Sequence, residues 1–535
     1  MTTTRRRFLQ YSSLTTTLPL LPGECNVPDD HQSPDPVFVH GVASGDPLSN
    51  AVILWTRVTP DPEAPASIAV EWAVYKDPEL TRRVADGVAS TDAGIDYTVK
   101  VDAQGLHAGR TYYYQFRALG HDSPIGRTRT LPKKHVQHVR LGVCSCSNYP
   151  AGYFHAYRAL ARRTDLDAVL HLGDYIYEYA NGTYGDGIAL DRVPSPDAEI
   201  VSLQDYRQRH AQYKTDPDLQ EVHRQNPFIT VWDDHEVTND AFKDGAENHQ
   251  SDTEGDWEAR RAVAIQAYYE WMPIREPRWD DTGRIYRSFA FGRLLDLIML
   301  DTRLRGREAQ IADPCSPEIA EPERQLLGKK QEAWFLEQLA SSKAQWRAVG
   351  QQVMFGQLLN IFDPNQCIFN PDQWDGYQAA RARVLKTIVD HQIDNVAILT
   401  GDIHSSWAMD IAAGNPFDAE QYDPATGEGS VAVEFVGTSI SSPALDDPGD
   451  QIAGALVGSH PHIKAVDLNR RGYLVIDVTP ERMQGDWFHV GSVLAAAVTE
   501  SYAWGFHTAD KQNRLTPAAA PAAGKVDAPP LAPQG

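Results

Sequence analysis

The stretch Ala168-Val169-Leu170-His171-Leu172-Gly173-Asp174-Tyr175-Ile176-Tyr177 is an apolar run that stops abruptly at a glycine and delivers an aspartate to its tip. Two further runs end the same way. Phe228–Val231 leads into Trp232-Asp233-Asp234-His235-Glu236, with Asn239 just beyond, and Val396–Leu399 leads into Thr400-Gly401-Asp402-Ile403-His404. Short, nearly continuous apolar runs read as strands of sheets covered on both faces. Val139–Val143, Leu294–Leu300, Arg347–Gly350 and Val431–Val436 repeat the pattern, interleaved with helical stretches and long polar loops. From about residue 137 the chain therefore reads as a layered α/β fold. Ligands of such folds bind at the carboxyl ends of strands, so the polar clusters are expected to converge.

Each cluster admits a structural and a chemical reading. Asp174 alone is either a turn residue or a carboxylate bridging two cations. Tyr177 is either packing or a phenolate suited to a hard trivalent metal. Asp233 and Asp234 are adjacent and repel unless a cation joins them. Alternation puts Asp402 and His404 on one side of an extended segment, as two ligands of one cluster require. The run Val139–Val143 ends in Cys144-Ser145-Cys146-Ser147-Asn148-Tyr149. A thiolate becomes a metal ligand when cations lower its pKa, and one of these two cysteines fits that role while the other fits a small buried residue. In Leu300-Asp301-Thr302-Arg303, either Arg303 supports an anion or Asp301 braces the neighbouring loop, and a supporting, structural role is preferred. Cys315 and Cys367 lie in loops and can pair, whereas a bridge between Cys144 and Cys146 would be strained.

The chain has 535 residues, 42% of them apolar, with 12 Trp and 22 Tyr, enough for two or three folded units with a large core. Its formal charge of −23 excludes a basic nucleic-acid-binding face. A phosphate group would have to be met by local Arg or metal. No apolar run is long enough to span a membrane. Residues 1–30 read as a twin-arginine export segment, from Arg5-Arg6-Arg7-Phe8-Leu9 and the weakly apolar stretch after it. The expected partner is the twin-arginine export machinery, and the expected location is the periplasm or the exterior. Cys25 follows Gly-Glu, which departs from a lipoprotein processing site. Residues 31–135 alternate with period two between turn signals; Tyr112, Tyr114 and Phe116 share one face, which predicts an immunoglobulin-like β-sandwich. Residues 514–535 are Ala- and Pro-rich without periodicity and are expected to be a disordered tail. A monomer is expected.

Taken in order, the motifs resemble those of the calcineurin-like and purple acid metallophosphoesterases, and more closely those of the PhoD-type alkaline phosphatases. The resemblance rests on Cys146-Ser147-Asn148-Tyr149, Leu172-Gly173-Asp174-Tyr175-Ile176-Tyr177-Glu178-Tyr179, Trp232-Asp233-Asp234-His235-Glu236-Val237, Leu300-Asp301-Thr302-Arg303 and Gly401-Asp402-Ile403-His404. Gly41-Val42-Ala43-Ser44-Gly45-Asp46-Pro47 and Leu54-Trp55-Thr56-Arg57 extend it into the N-terminal part. It implies a four-layer αββα metallophosphoesterase-like core over residues 136–513. It also implies a centre of Fe(III) with Ca(II), the iron held by Cys146, Tyr177 and Asp174, with Asp174 bridging to calcium. Asp234, Asn239, Asp402 and His404 are the remaining implied ligands, and Asp233 replaces or joins Asp234. Thiolate and phenolate suit iron, and carboxylate and amide oxygens suit calcium.

The chain departs from the wider metallophosphoesterases where Asp402 stands in place of a histidine and Gln351-Gln352 in place of Val-x-x-His. Both departures count against a zinc or manganese pair. The implied activity is hydrolysis of phosphate monoesters, and of diesters, at alkaline pH by a metal-bound water or hydroxide or a bridging oxide, with Asp174 and His235 catalytic. His235 either protonates the leaving oxygen or orients Asp234. The competing readings are a dedicated phosphodiesterase, acting like a phospholipase D or on teichoic-type polymers, and a secreted, metal-stabilised binding protein without catalysis.

Overall fold

The computed structural model of the protein describes residues 35–276, 283–361, 363, 365, 367–445, 448–496 and 499–533. The export segment and Cys25 lie outside the described residues. Two mixed sheets form the middle of the molecule. One has seven strands, in the order Arg287–Phe291, Leu295–Met299, Trp346–Gln351, Val396–Thr400, Ser430–Val436, Ser406–Ala412 and Ile463–Asp467. The other has ten, and its centre is the parallel trio Val139–Cys144, Ala168–His171 and Pro227–Thr230.

Successive residues of one strand face opposite sides of its sheet, and this chain uses the alternation to build two cores. Leu297 and Met299, Ala348, and Ala397 and Leu399 point into the core shared with the ten-stranded sheet. Ile298 and Leu300, Val349, and Val396 and Ile398 point the other way. There they meet Phe335 and Leu339 of helix Gly328–Ser341 and Val384 and Ile388 of helix Gln378–Asp390. Leu160, Val222 and Ala264, on helices His155–Ala161, Pro217–Gln225 and Trp257–Trp271, pack into the shared core. The result is the expected α/β architecture of two facing sheets with helices outside them. All seven strands expected from apolar runs are present, each within one or two residues of the reading. The antiparallel strands Gly472–Val478, Arg482–Val490 and Glu500–Ala509, which extend the ten-stranded sheet, were not anticipated.

The N-terminal region is a sandwich, with Tyr112, Tyr114 and Phe116 in its core beside Val52, Leu54 and Val99. Its boundary at residue 135 does not separate two independent units. Only one leaf, containing Arg83–Asp92, Ser67–Tyr75 and Thr111–Ala118, is a sheet of its own. The other leaf, Val42–Gly45, Ala51–Arg57 and Thr98–Gln104, continues the ten-stranded sheet: Ser44 and Gly45 pair in parallel with Pro227 and Phe228. A side chain at Gly45 would meet Pro273 O at 2.2 Å, so this junction requires glycine. Arg287 closes it by an ion pair to Asp46 at 2.5 Å.

The expectation of a disordered tail is corrected over its described part, residues 514–533, which form a strap across the body. Ala522 N donates to Asp486 Oδ2 at 2.8 Å, Arg140 donates to Ala523 O at 2.6 Å, Tyr113 Oη donates to Pro530 O at 2.7 Å, and Ala532 N donates to Gln225 Oε1 at 2.8 Å. An Ala/Pro chain has no internal hydrogen bonds in extended form, so its carbonyls remain available to body side chains. Composition alone does not reveal those partners.

Because Val42–Gly45 is the lateral neighbour of Pro227–Thr230, a fragment starting at residue 136 exposes an open sheet edge next to the active-site strands. The fragment is expected to be insoluble or to melt well below the intact chain. Co-melting of a soluble fragment with the full protein, followed by circular dichroism, would contradict this.

Candidate metal centre

The carboxyl ends of the parallel strands in both sheets meet. Cys146 follows Val139–Cys144, Asp174 follows Ala168–His171, Asp233 and Asp234 follow Pro227–Thr230, Arg303 follows Leu295–Met299, and Asp402 and His404 follow Val396–Thr400. The backbone turns sharply at three of these tips: φ is 62° at Cys146, 53° at Asp174, 60° at Asp402 and 57° at His404. Left-handed backbone costs free energy in non-glycine residues and persists only where the surroundings enforce it. Gly173, with φ 103°, allows the closest approach, since a Cβ there would lie 2.5 Å from the Asp233 amide nitrogen. The glycine read as permitting a close turn therefore also lets two clusters touch.

Three sets of side chains each place ligand atoms within 4.8 Å of one another: Cys146, Asp174 and His404; Asp174, Asp234 and His235; and Asp233, Asp234 and Asp402. Asp174 belongs to the first two sets and Asp234 to the last two, so the sets form one chain. Every member is buried. Tyr177 joins the first set, donating from Oη to Asp174 Oδ2 at 2.9 Å with His404 Nε2 3.2 Å away. Asp233 joins Asp234 rather than replacing it. Asn239 donates its side-chain amide to Glu247 at 3.1 Å and its backbone N–H to Glu178 at 2.8 Å.

The electrostatics favour cations. Burial pushes the Cys146 thiol and the Tyr177 phenol well above their usual ranges, and Asp174 adds to both effects. Burial likewise raises Asp233 far above a normal carboxylate; Arg303 opposes the shift, while Asp234, Asp174 and Asp402 reinforce it. Burial and like charge disfavour the charged forms of these groups, and a bound cation opposes that preference. The Asp233 Oδ2 atom is buried without a hydrogen-bond partner, as a vacant ligand atom would be. With a thiol, a phenol, an imidazole and several carboxylates together, the residues fit a hard trivalent ion beside oxygen-seeking divalent ions.

Profile comparison places residues 141–487 in the PhoD-like phosphatase family and residues 24–132 in the N-terminal domain that accompanies it. The chain belongs to the PhoD-like phosphatase family. It is 39% identical over 464 residues to alkaline phosphatase D of Bacillus subtilis (strain 168), covering 84% of this chain and 77% of that protein. A solved structure described as PhoD superposes with a TM-score of 0.82 at 37% identity, covering 93% of this chain and 94% of the other. As a PhoD-like phosphatase, the chain is a phosphoric ester hydrolase.

Several residues that shape this PhoD-like site were only partly read from sequence. Arg303, read as supporting an anion or the neighbouring structure, makes contacts that the sequence did not reveal. It is fully buried, with Nε on Asp233 Oδ1, Nη1 2.8 Å from Asp372 and Nη2 2.9 Å from Asp402, while Asp234 lies 3.7 Å away. Glu178 accepts from His235 Nδ1 at 2.7 Å. Against burial, which disfavours the imidazolium, the charges of Glu178, Asp234 and Asp174 push His235 up to about 10. Ser442 Oγ lies 2.7 Å from Tyr177 Oη and 2.8 Å from Cys146 O, within hydrogen-bond reach of both. Gln373 donates to Asp402 Oδ2 at 2.7 Å. The glutamines standing in place of Val-x-x-His are staples between strand ends: Gln351 donates to Thr400 Oγ1 at 2.6 Å, and Gln352 accepts from Thr302 N at 3.0 Å. Cys144 faces away, its Sγ 3.5 Å from Leu170 O. Cys315 and Cys367 form the disulfide, with Cα atoms 5.1 Å apart.

Glu236 ties two clusters together. Its carboxylate accepts the amides of Asp174 at 3.1 Å, Tyr175 at 2.5 Å and Asp233 at 2.8 Å. Leaving a buried amide unpaired costs about 1–3 kcal/mol. Glu236→Ala is therefore expected to destabilise the protein by at least about 3 kcal/mol, and Glu236→Gln by less. Equal urea midpoints for Glu236→Ala and the parent would refute this role.

Proposed function

We propose that this chain is an exported, metal-dependent phosphatase that hydrolyses phosphate monoesters, and diesters, at a centre of Fe(III) and Ca(II). The reading rests on the linked ligand sets that share Asp174 and Asp234. Cys146, Tyr177 and Asp174 supply the soft and phenolic donors for iron, with His404 beside them. Asp234, Asp402, Asp233 and Asn239 supply oxygens for calcium. Such cations neutralise charge on a phosphoryl group and acidify water.

The chain's own residues do the rest. Arg303 keeps Asp233 and Asp402 in fixed positions by hydrogen bonds from different faces of one guanidinium. Glu178 holds His235 through Nδ1, fixing the ring and favouring its charge, so His235 is suited to protonate the departing alkoxide. Tyr177 stacks on the same ring, with centroids 4.3 Å apart, and limits its rotation. A purely structural metal site is usually closed by its ligands; here Asp402 and His404 line a cleft, which disfavours a non-catalytic binding protein. Export by the twin-arginine machinery to the periplasm or exterior suits the Cys315–Cys367 bridge, because disulfides persist in oxidising compartments. Among the described residues, no helix is long and apolar enough to cross a membrane.

Purified protein is expected to contain iron and calcium by elemental analysis, and zinc as the sole metal would refute the assignment. Asp174→Ala should lose metal and activity together. His235→Gln should keep the metal and lose about 10²–10⁴-fold in kcat; unchanged kcat on a chromogenic phosphate ester would remove His235 from the mechanism.

Metal removal should also show a pH dependence of definite sign. Burial, with the charge of Asp174, pushes Glu236 up from 4.5 to about 8 in the metal-free chain. A carboxyl whose pKa is raised on folding stabilises the fold fully below its unfolded value. That contribution is lost as pH rises through the folded value. Bound cations cancel the loss. The difference in Tm between metal-loaded and chelator-treated protein is therefore expected to widen from pH 5 to pH 8, and a difference that narrows over this range would count against cation compensation at this cluster.

A further inference from the structure

Beside the metal centre lies a cleft of ≈ 90 Å³. Asp402 and His404 stand in its wall, while Leu358, Trp407, Leu445, Ile452, Leu456 and Leu468 make up much of the remainder. The wall is assembled from separate parts of the chain: the loop after strand Trp346–Gln351, strand Ser406–Ala412, the segment before helix Gly449–Ser459, and that helix itself. These parts belong to a hydrophobic cluster distinct from the two sheet cores. Among the described residues, Asp402 is the only carboxylate in the wall, and there is no Lys or Arg. The cleft is thus charged at one end and apolar along its body.

We propose that this cleft is the subsite for the organic group of the substrate, and that the enzyme prefers phosphate esters of apolar alcohols, alkyl or aryl, over esters of sugars or glycerol. The proposal rests on the phosphatase reading above and adds the substrate class. A phosphoryl group placed at Asp402 and His404 directs its ester substituent along the leucine and tryptophan wall. Each methylene that enters leaves water and is stabilised there. A polyhydroxylated substituent in the same position would bury hydroxyls without partners, which is unfavourable. Ligand sites are commonly concave, apolar and provided with a few convergent polar groups, and this cleft has that composition. In the reaction, water adds to phosphorus, the phosphorus–oxygen bond to the substituent breaks, and the apolar alcohol leaves with a proton.

The test is a homologous series of methyl, butyl and hexyl phosphate, with glycerol phosphate as the polar comparison, assayed by phosphate release from metal-loaded full-length protein. In the wild type, kcat/KM is expected to rise about threefold to fourfold per methylene until the cleft is filled, and to be lowest for glycerol phosphate. Ile452→Trp, which fills the cleft from a half-buried position, should bring the hexyl-to-methyl ratio down towards one. Ile452→Ala, which empties space instead, should keep the ratio high. General damage to folding lowers all substrates together and leaves the ratio intact, so the ratio isolates the subsite. A flat series with ready turnover would overturn the subsite alone, as would an Ile452→Trp ratio equal to that of the wild type. No hydrolysis of any ester would overturn the phosphatase reading and the subsite with it.

Discussion

Everything at the centre of this molecule depends on how a dense set of buried carboxylates is kept from flying apart. Asp233, Asp234, Asp372 and Asp402 surround the single guanidinium of Arg303, with no solvent to screen them. Arg307 also pairs with Asp372, yet four carboxylates against these two guanidinium groups still leave a surplus, and Asp174 and Glu236 lie close by. Buried charge without compensation is costly. Burial and the neighbouring carboxylates raise Asp233 and Glu236 above the usual carboxylate range, so their charged forms are disfavoured. The surplus is a demand for cations, written into the fold by the convergence of strand ends from two sheets.

Much of this was legible in the chain because the relevant signals are local. Apolar runs that break into Gly-Asp, Asp-Asp-His-Glu or Gly-Asp-x-His mark a strand and its tip within a dozen residues. Asp174, Tyr177, Asp402 and His404 were found in this way, the resemblance singled out Cys146 and Asp234 from their neighbouring pairs, and the structure brings all six together. What could not be read is contact across large sequence separations. Arg303 looks like any arginine after a strand until Asp372 and Asp402 arrive from 69 and 99 residues away. Glu178 sits in a quoted motif, but its partner His235 is 57 residues on. Ser442 lies in Ser439-Ile440-Ser441-Ser442-Pro443, which has no distinguishing chemistry of its own. Asn239, carried over by resemblance, is held by Glu178 and Glu247.

The same limit explains the misjudged boundaries. A period-two pattern predicts strands but not their neighbours, so a sandwich with one leaf merged into the catalytic sheet looks like a separate module. The merging has a consequence for the site. The strand that delivers Asp233 and Asp234 is flanked on one side by Ala168–His171 and on the other by Val42–Gly45, so the N-terminal region helps to fix the position of these candidate ligand carboxylates. The strap formed by residues 514–533 acts in the same sense. It reaches from Asp410, through Asp486 and Arg140, to Tyr113 and Gln225, and so spans both sheets and the sandwich.

Fixity and variation are then divided between the two halves of the site. The candidate ligands stand on strand tips whose left-handed backbone is tolerated only because their neighbours leave no alternative: Glu236 grips three amides, Gly173 presses on Asp233, and Ser442 spans Cys146 and Tyr177. Such a cradle cannot drift without losing several hydrogen bonds at once, which is what preorganised electrostatic catalysis requires. The cleft beside it is walled largely by loops and one short helix, where side chains can change without disturbing the strand tips. The Cys315–Cys367 bridge links one of those loops to a distant one, just ahead of Asp372 and Gln373, which hold Arg303 and Asp402. The candidate ligands thus stand on the strand ends and the cleft wall largely on the loops, and the disulfide ties one of those loops to another.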